Sequence, residues 1–335
     1  MTMKRRWLLR AAALALSAPL LGQSAPTPAP PAFQPAPHTQ RVPLYGAADA
    51  AESAFHADGG TTVERNRAAR WSLAEHRRLA RALAGLAPQR RGVVDAYVVV
   101  AGLDSDLVFG REAREAARVL SRRYDAAGRT VVLAGSDGTA ESALPHGSPD
   151  TLGAVLARVA ELMDPAEDVL VLYTTGHGGP LGLAYADGDE GYGMISPTRL
   201  WGLLGTLDIR NRLLILSACY SGVFVPMLQS PGTAILTAAS AERTSFGCQA
   251  DNDWTFFGDA LVNRAMRKPV PLAAAATEAR DLVAGWERQA ALTPSEPQVS
   301  IGSDVARWLA PLERRTPVAV TAPVGRSSIA SLAVE

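Results

Sequence analysis

Only two of the 335 residues are cysteine, Cys219 and Cys248. They cannot build a disulfide framework, and one bridge is the most they allow. Net charge is also missing, because 33 Lys plus Arg stand against 33 Asp plus Glu. A nucleic-acid partner would want a basic stripe, and this balance argues against one. Histidine is scarce, with five in the whole chain. Beyond the N-terminus no segment reaches the ~20 apolar residues that a bilayer span takes. What is present suits a globular core, with 47% hydrophobic and 20% charged residues. The length predicts one large or two small domains.

The N-terminus reads as an export signal. Lys4, Arg5, Arg6 and Arg10 form a basic start, and Ala11 to Gly22 is a short apolar stretch. Gly22 and Ser24 offer a cleavage site near Ala25. General secretory and twin-arginine export are both open, since Arg5-Arg6-Trp7-Leu8-Leu9 resembles the twin-arginine pattern. The protein is expected in the periplasm or outside the cell. Contact with a membrane is expected only through an uncleaved signal segment. Six prolines between Pro26 and Pro37 predict an extended linker or pro-region over 25–60.

From residue 61 to 312 the chain reads as one domain. Thr62 to Leu86 has helical apolar spacing. Strands are expected at Val93–Ala101, Thr130–Ala134, Asp168–Thr174, Arg212–Ser217, Thr233–Ala238 and Gln298–Ile301. Helices separate them, opened at Ser148-Pro149 and Ser196-Pro197. Apolar strands without alternation, joined by helices, predict an α/β fold with a mostly parallel sheet covered on both faces. The 313–335 segment is predicted to be a disordered tail.

Two turns stand out. YTTGHGG presents His177 and LSACYSG presents Cys219, and each follows an apolar strand. Ligands bind beyond the carboxyl ends of such strands. A thiol beside an imidazole is a nucleophile beside its base. Glycines around His177 let backbone N–H groups approach a substrate oxygen. Zinc wants three or four ligands, and no second histidine lies near His177, so neither a metal nor a cofactor is expected. Asp187-Gly188-Asp189-Glu190 lacks the distal glutamate of a calcium loop and reads as a solvated turn.

YTTGHGGPLGLAYAD and LLILSACYSG resemble the legumain (asparaginyl endopeptidase) family of cysteine peptidases. The His-Gly turn is also similar to that of the GPI transamidase catalytic subunit. TAASAERTSFGC, followed by WTFFGDAL, looks like bacterial members of the legumain family. With VVVAGLDSDLVFGRE the resemblance covers roughly Ala96 to Ile301. Caspases share the plan of a histidine turn preceding a cysteine turn.

The resemblance implies a caspase-like three-layer sandwich with a six-stranded, mostly parallel sheet and helices on both faces. It implies a cysteine endopeptidase with a Cys219–His177 dyad and peptide or protein substrates. The backbone N–H groups of Gly178 and Cys219 would form the oxyanion hole. Arg111, Ser245 and Asp259 would line a pocket for asparagine, since paired positive and negative groups suit a carboxamide. Gly176 stands where legumains have aspartate, and Tyr220 where they have glutamate. An asparagine supporting their histidine would fall near Phe109. Two other readings remain: a weak or silent relative that binds peptides or acts as a scaffold, and transamidase-like acyl transfer. Cys248 is expected to be a buried structural thiol.

Overall fold

The computed structural model describes residues 49–333. The expected signal segment and most of the linker lie outside the described residues. In chain order the first elements are α1 (Ala50–Gly59), β1 (Thr62–Glu64), α2 (Ala69–Ala84), β2 (Ala96–Gly102) and α3 (Leu107–Arg123). β3 (Thr130–Leu133), α4 (Pro149–Leu162) and β4 (Val169–Thr175) follow. Then come β5 (Gly178–Gly179), β6 (Gly182–Asp187), β7 (Gly191–Ile195), α5 (Pro197–Thr206) and β8 (Arg212–Ser217). The last set is α6 (Val225–Leu228), β9 (Thr233–Thr237), α7 (Phe256–Gly258), α8 (Leu272–Gln289), β10 (Gln298–Ile301) and α9 (Val305–Arg314).

Six strands form the main sheet in the order β10-β9-β8-β4-β2-β3. All pair in parallel except β10, which runs antiparallel to β9 at the edge. The expected mostly parallel six-stranded sheet with helices on both faces is therefore what the chain builds. Alternate residues of β2 explain why its apolar run does not alternate with polar residues. Val98 and Val100 enter a core with Leu120, Leu261 and Trp308. Tyr97 and Val99 enter a second core with Leu156, Leu204 and Leu228. A strand buried on both faces has no solvent side to mark in sequence.

α4 begins as the sequence suggests. Ser148 caps it by accepting from Thr151 N, and Pro149 occupies the first turn, where its missing N–H costs nothing. The segment Thr62–Leu86, expected to be one helix, is divided. Thr62 and Val63 are β-branched and pair with Gly193 and Tyr192, and the helix starts only at Ala69. α1 forms inside what reads as linker, and Asp49 caps it by accepting from Glu52 N. A second sheet, β1-β7-β6-β5, folds back beyond the His177 turn. Of this sheet, the sequence suggests only a short strand from Leu181 to Tyr185, which overlaps β6.

The tail also departs from expectation. Residues after α9, read from sequence as disordered, run back along the domain. Trp254 Nε1 donates to Val324 O at 2.9 Å, and Val324 N donates to Asn263 Oδ1 at 2.9 Å. Arg267 reaches Thr321 Oγ1 at 3.3 Å. Polar groups of the domain hold this segment, and an apolar pattern search has nothing to find in it. No described helix is long and apolar enough to cross a membrane.

Candidate active site

β4 and β8 are parallel neighbours, with Thr175 opposite Ser217 at their carboxyl ends. His177 lies two residues past Thr175, and Cys219 lies two past Ser217. The backbone topology thus delivers both turns to one edge at matching depth. The turns touch, because a Cβ placed on Gly178 would lie 2.2 Å from Cys219 O. Ala184 N donates to His177 O at 2.9 Å and ties this turn to β6.

The cysteine turn is pinned from its other side. Tyr220 takes a left-handed conformation (φ 57°), and its N–H donates to Arg243 O at 2.8 Å. Such a conformation is unusual for a bulky residue and is held here by its surroundings. Ser221 Oγ accepts from Ala238 N and Ala239 N at 3.1 and 3.3 Å. Gly222 packs so closely on Ser240 and Ala241 that a Cβ would meet Ala241 N at 2.5 Å.

Cys219 Sγ accepts from Ser245 N at 3.2 Å. Its thiol is held down at about 6, first by a hydrogen bond with the Cys248 thiol, against the opposing effect of burial. The Ser245 N–H and the charge of His177 add to the lowering. The thiolate is the reactive form, so this setting favours nucleophilic attack. Cys248 is pushed far the other way, first by that same hydrogen bond and then by burial. The thiol expected to be merely structural thus influences the ionisation of Cys219.

His177 Nε2 lies 3.7 Å from Asp106 Oδ2. Its imidazole is raised above its ordinary value, first by the Asp106 carboxylate, with burial opposing and Asp104 assisting. The Phe109 ring meets the imidazole edge-on at 5.2 Å. Support for the histidine therefore comes from Asp104 and Asp106 in the loop after β2, and Phe109 supplies the wall. Asp104, Asp106 and His177 bring ligand atoms within 4.8 Å of one another, a set that could hold a cation. A cation there would compete with a proton for the imidazole.

Behind β8 lies a buried polar network that the sequence does not reveal. Glu112 is fully buried, accepts from Tyr173 Oη at 2.6 Å and accepts from Thr255 N at 2.7 Å. Thr255 Oγ1 lies 3.1 Å from Ser217 Oγ, two residues before Cys219. The network joins α3, β4, β8 and the start of α7. Its only sequence signal is a glutamate on the core-facing side of an amphipathic helix, which looks like any other helix charge.

Of the expected pocket residues, Ser245 sits against Cys219. Arg111 donates from Nε to Asp137 O at 2.9 Å and from Nη1 to Ala250 O and Asn252 O at 2.9 and 2.8 Å. Asp259 is fully buried and opens the π-helical segment Asp259–Arg264. Asn263 Nδ2 donates to it at 2.9 Å and Arg264 Nε at 3.1 Å. Ser328 N and Oγ donate at 2.9 and 3.1 Å, and Ser327 Oγ donates at 3.1 Å. Both groups are thus engaged within the chain.

Residues 145–303 match the model of the Peptidase C13 family. The span includes His177, Cys219, Ser245, Cys248 and Asp259, while Asp104, Asp106 and Arg111 precede it. None of the curated proteins matches the chain. Among solved structures, caspase-1 from Spodoptera frugiperda is similar at 14% identity and a TM-score of 0.41, over 65% of this chain and 93% of that one.

Proposed function

We propose that this chain is an exported cysteine endopeptidase in which Cys219 is the nucleophile and His177 the acid and base. The observation that carries the reading is the pairing of a depressed thiol with a raised imidazole at the ends of β4 and β8. The Peptidase C13 match supports peptide or protein substrates.

In this mechanism the Cys219 thiolate attacks the scissile carbonyl carbon. The carbonyl electrons move to oxygen, and the backbone N–H groups of Gly178 and Cys219 hold the oxyanion. His177 gives its proton to the departing amine as the C–N bond breaks. Water then attacks the thioester, His177 takes a proton from it, and Cys219 leaves as thiolate. Asp106 keeps the imidazole protonated and oriented for the first step. No metal or cofactor enters these steps.

Asparagine before the scissile bond is the specificity we assign, with Ser245, Arg111 and Asp259 as pocket residues. Ser245 already borders the nucleophile. Arg111 and Asp259 reach a carboxamide only by exchanging present partners, for Asp259 the Ser327–Ser328 segment. Acyl transfer to an amine is the second reading, favoured by Gly176, which the transamidase shares.

An asparagine-terminated activity probe, applied to the mature protein beside Cys219→Ala and His177→Ala, tests the assignment. Labelling is expected only with Cys219 present, and labelling of Cys219→Ala overturns it. Adding an amine acceptor to a peptide substrate separates transfer from hydrolysis by the product formed.

A further inference from the structure

The chain's two cysteines are brought into one neighbourhood although they lie 29 positions apart in sequence (248 − 219). The segment carrying Cys248 is built around the Cys219 sulfur. Ser245 N donates to Cys219 Sγ at 3.2 Å, and Cys248 follows three residues later. Gly247 makes the intervening turn with φ at 90°, and a Cβ there would meet Phe256 N at 2.9 Å. Phe256 N donates to Phe246 O at 3.0 Å, and Asn252 Nδ2 donates to Gly247 O at 3.0 Å. The turn is therefore fixed on both sides and holds Cys248 beside Cys219, near enough that each thiol shifts the ionisation of the other. Both cysteines are free, and Cys219 is partly exposed, so a small oxidant can reach it.

We propose that Cys219 and Cys248 are an oxidisable pair: a hydroperoxide converts Cys219 to a sulfenic acid, and Cys248 resolves it into an intramolecular disulfide that a dithiol reopens. In the first step the Cys219 thiolate attacks the terminal peroxide oxygen. The O–O bond breaks, the sulfur gains a hydroxyl, and the other oxygen leaves as alkoxide or hydroxide and takes a proton from water. In the second step the Cys248 sulfur attacks the sulfenic sulfur. The S–O bond breaks, hydroxide leaves with the Cys248 proton as water, and the S–S bond forms. Two electrons pass from the thiols to one peroxide. A dithiol returns them by exchange through a mixed disulfide.

The chemistry suits the pair. A low-pKa, accessible thiol beside a resolving cysteine is the arrangement that redox-sensitive sites use. Without a resolving partner a sulfenic acid proceeds to sulfinic acid, which thiols do not reverse. Cys248 would thus protect the nucleophile while switching it off. Formation of the bond stands independently of the peptidase reading. Its effect on turnover rests on that reading.

The test oxidises the reduced mature protein with hydrogen peroxide and follows it by intact mass, peptide mapping and peptidase activity. The expected product has lost two hydrogens, links the Cys219 and Cys248 peptides, and is restored by dithiothreitol. Cys248→Ser should instead gain oxygens at Cys219 and recover less than about one tenth of its own reduced activity after dithiothreitol, against nearly full recovery for the parent. Absence of the linked peptide while Cys219 gains oxygens at equal rates in both proteins overturns the proposal. A linked peptide in a protein without peptidase activity would leave the proposal standing and overturn the function assigned above.

Discussion

Replacing Gly178 by alanine probes the site where the two turns touch. The new Cβ would stand 2.2 Å from Cys219 O, 3.1 Å from Ala218 Cβ and 3.3 Å from the Cys219 carbonyl carbon. Carbon and carbonyl oxygen approach ordinarily no closer than about 3.3 Å, so one turn must retreat by about 1 Å. No rotamer change relieves the clash, because the opposing atoms are backbone and a Cβ. Misplacing catalytic groups by about 1 Å costs roughly 100-fold in rate, or about 2.7 kcal/mol of barrier. Overpacking of this kind also lowers stability by about 1 to 3 kcal/mol. Gly179 is the internal control, since a Cβ there meets nothing within 4 Å. The assay is kcat/KM on an asparagine-containing peptide, with circular dichroism and thermal unfolding confirming that both variants fold. Gly178→Ala should lose about 100-fold, and Gly179→Ala should stay within about threefold. A folded Gly178→Ala protein that keeps parental kcat/KM would refute the placement of the oxyanion site between these turns.

Other predictions concern charge, burial and strain. The thiol at about 6 and the raised imidazole predict a bell-shaped profile for kcat/KM, in which activity rises as Cys219 ionises near pH 6 and falls as His177 loses its proton above its ordinary value. Asp106→Asn removes the largest cause of the raised imidazole, so the alkaline limb should move to lower pH; a limb that stays put would remove Asp106 from that role. Asp259→Ala strands the buried donors of Asn263 and Ser328 and should cost about 3 kcal/mol in chemical denaturation. Tyr220→Gly relieves a left-handed conformation costing about 1 to 2 kcal/mol, offset partly by glycine's greater chain entropy, so folding stability should rise by up to about 1 kcal/mol.

Much of the architecture was legible because its causes are local. β-branched apolar runs make strands, and Ser-Pro pairs open the helices that cross between them. Parallel connection brings their carboxyl ends to one edge, so the His177 and Cys219 turns could be placed there from spacing alone. Where local signals are weak, the reading failed. Thr62–Glu64 became a strand because β7 offers it a partner, and the tail after Arg314 is docked by hydrogen bonds from Trp254 and Asn263.

The sheet, its covering helices and the arrival of the His177 and Cys219 turns at one edge follow from the sequence, since strand-forming propensity and chain connectivity act along the chain. Only the tertiary structure decided what surrounds that pair. Asp106 lies 71 residues before His177 (177 − 106) and reaches it from a loop whose path no periodicity records. Cys248 is brought beside Cys219 by a glycine turn fixed by Phe256 and Asn252. Asp259 is enclosed by Arg264 and Ser328. Each contact depends on where loops cross in space, and side-chain chemistry at long sequence separation leaves no pattern to read.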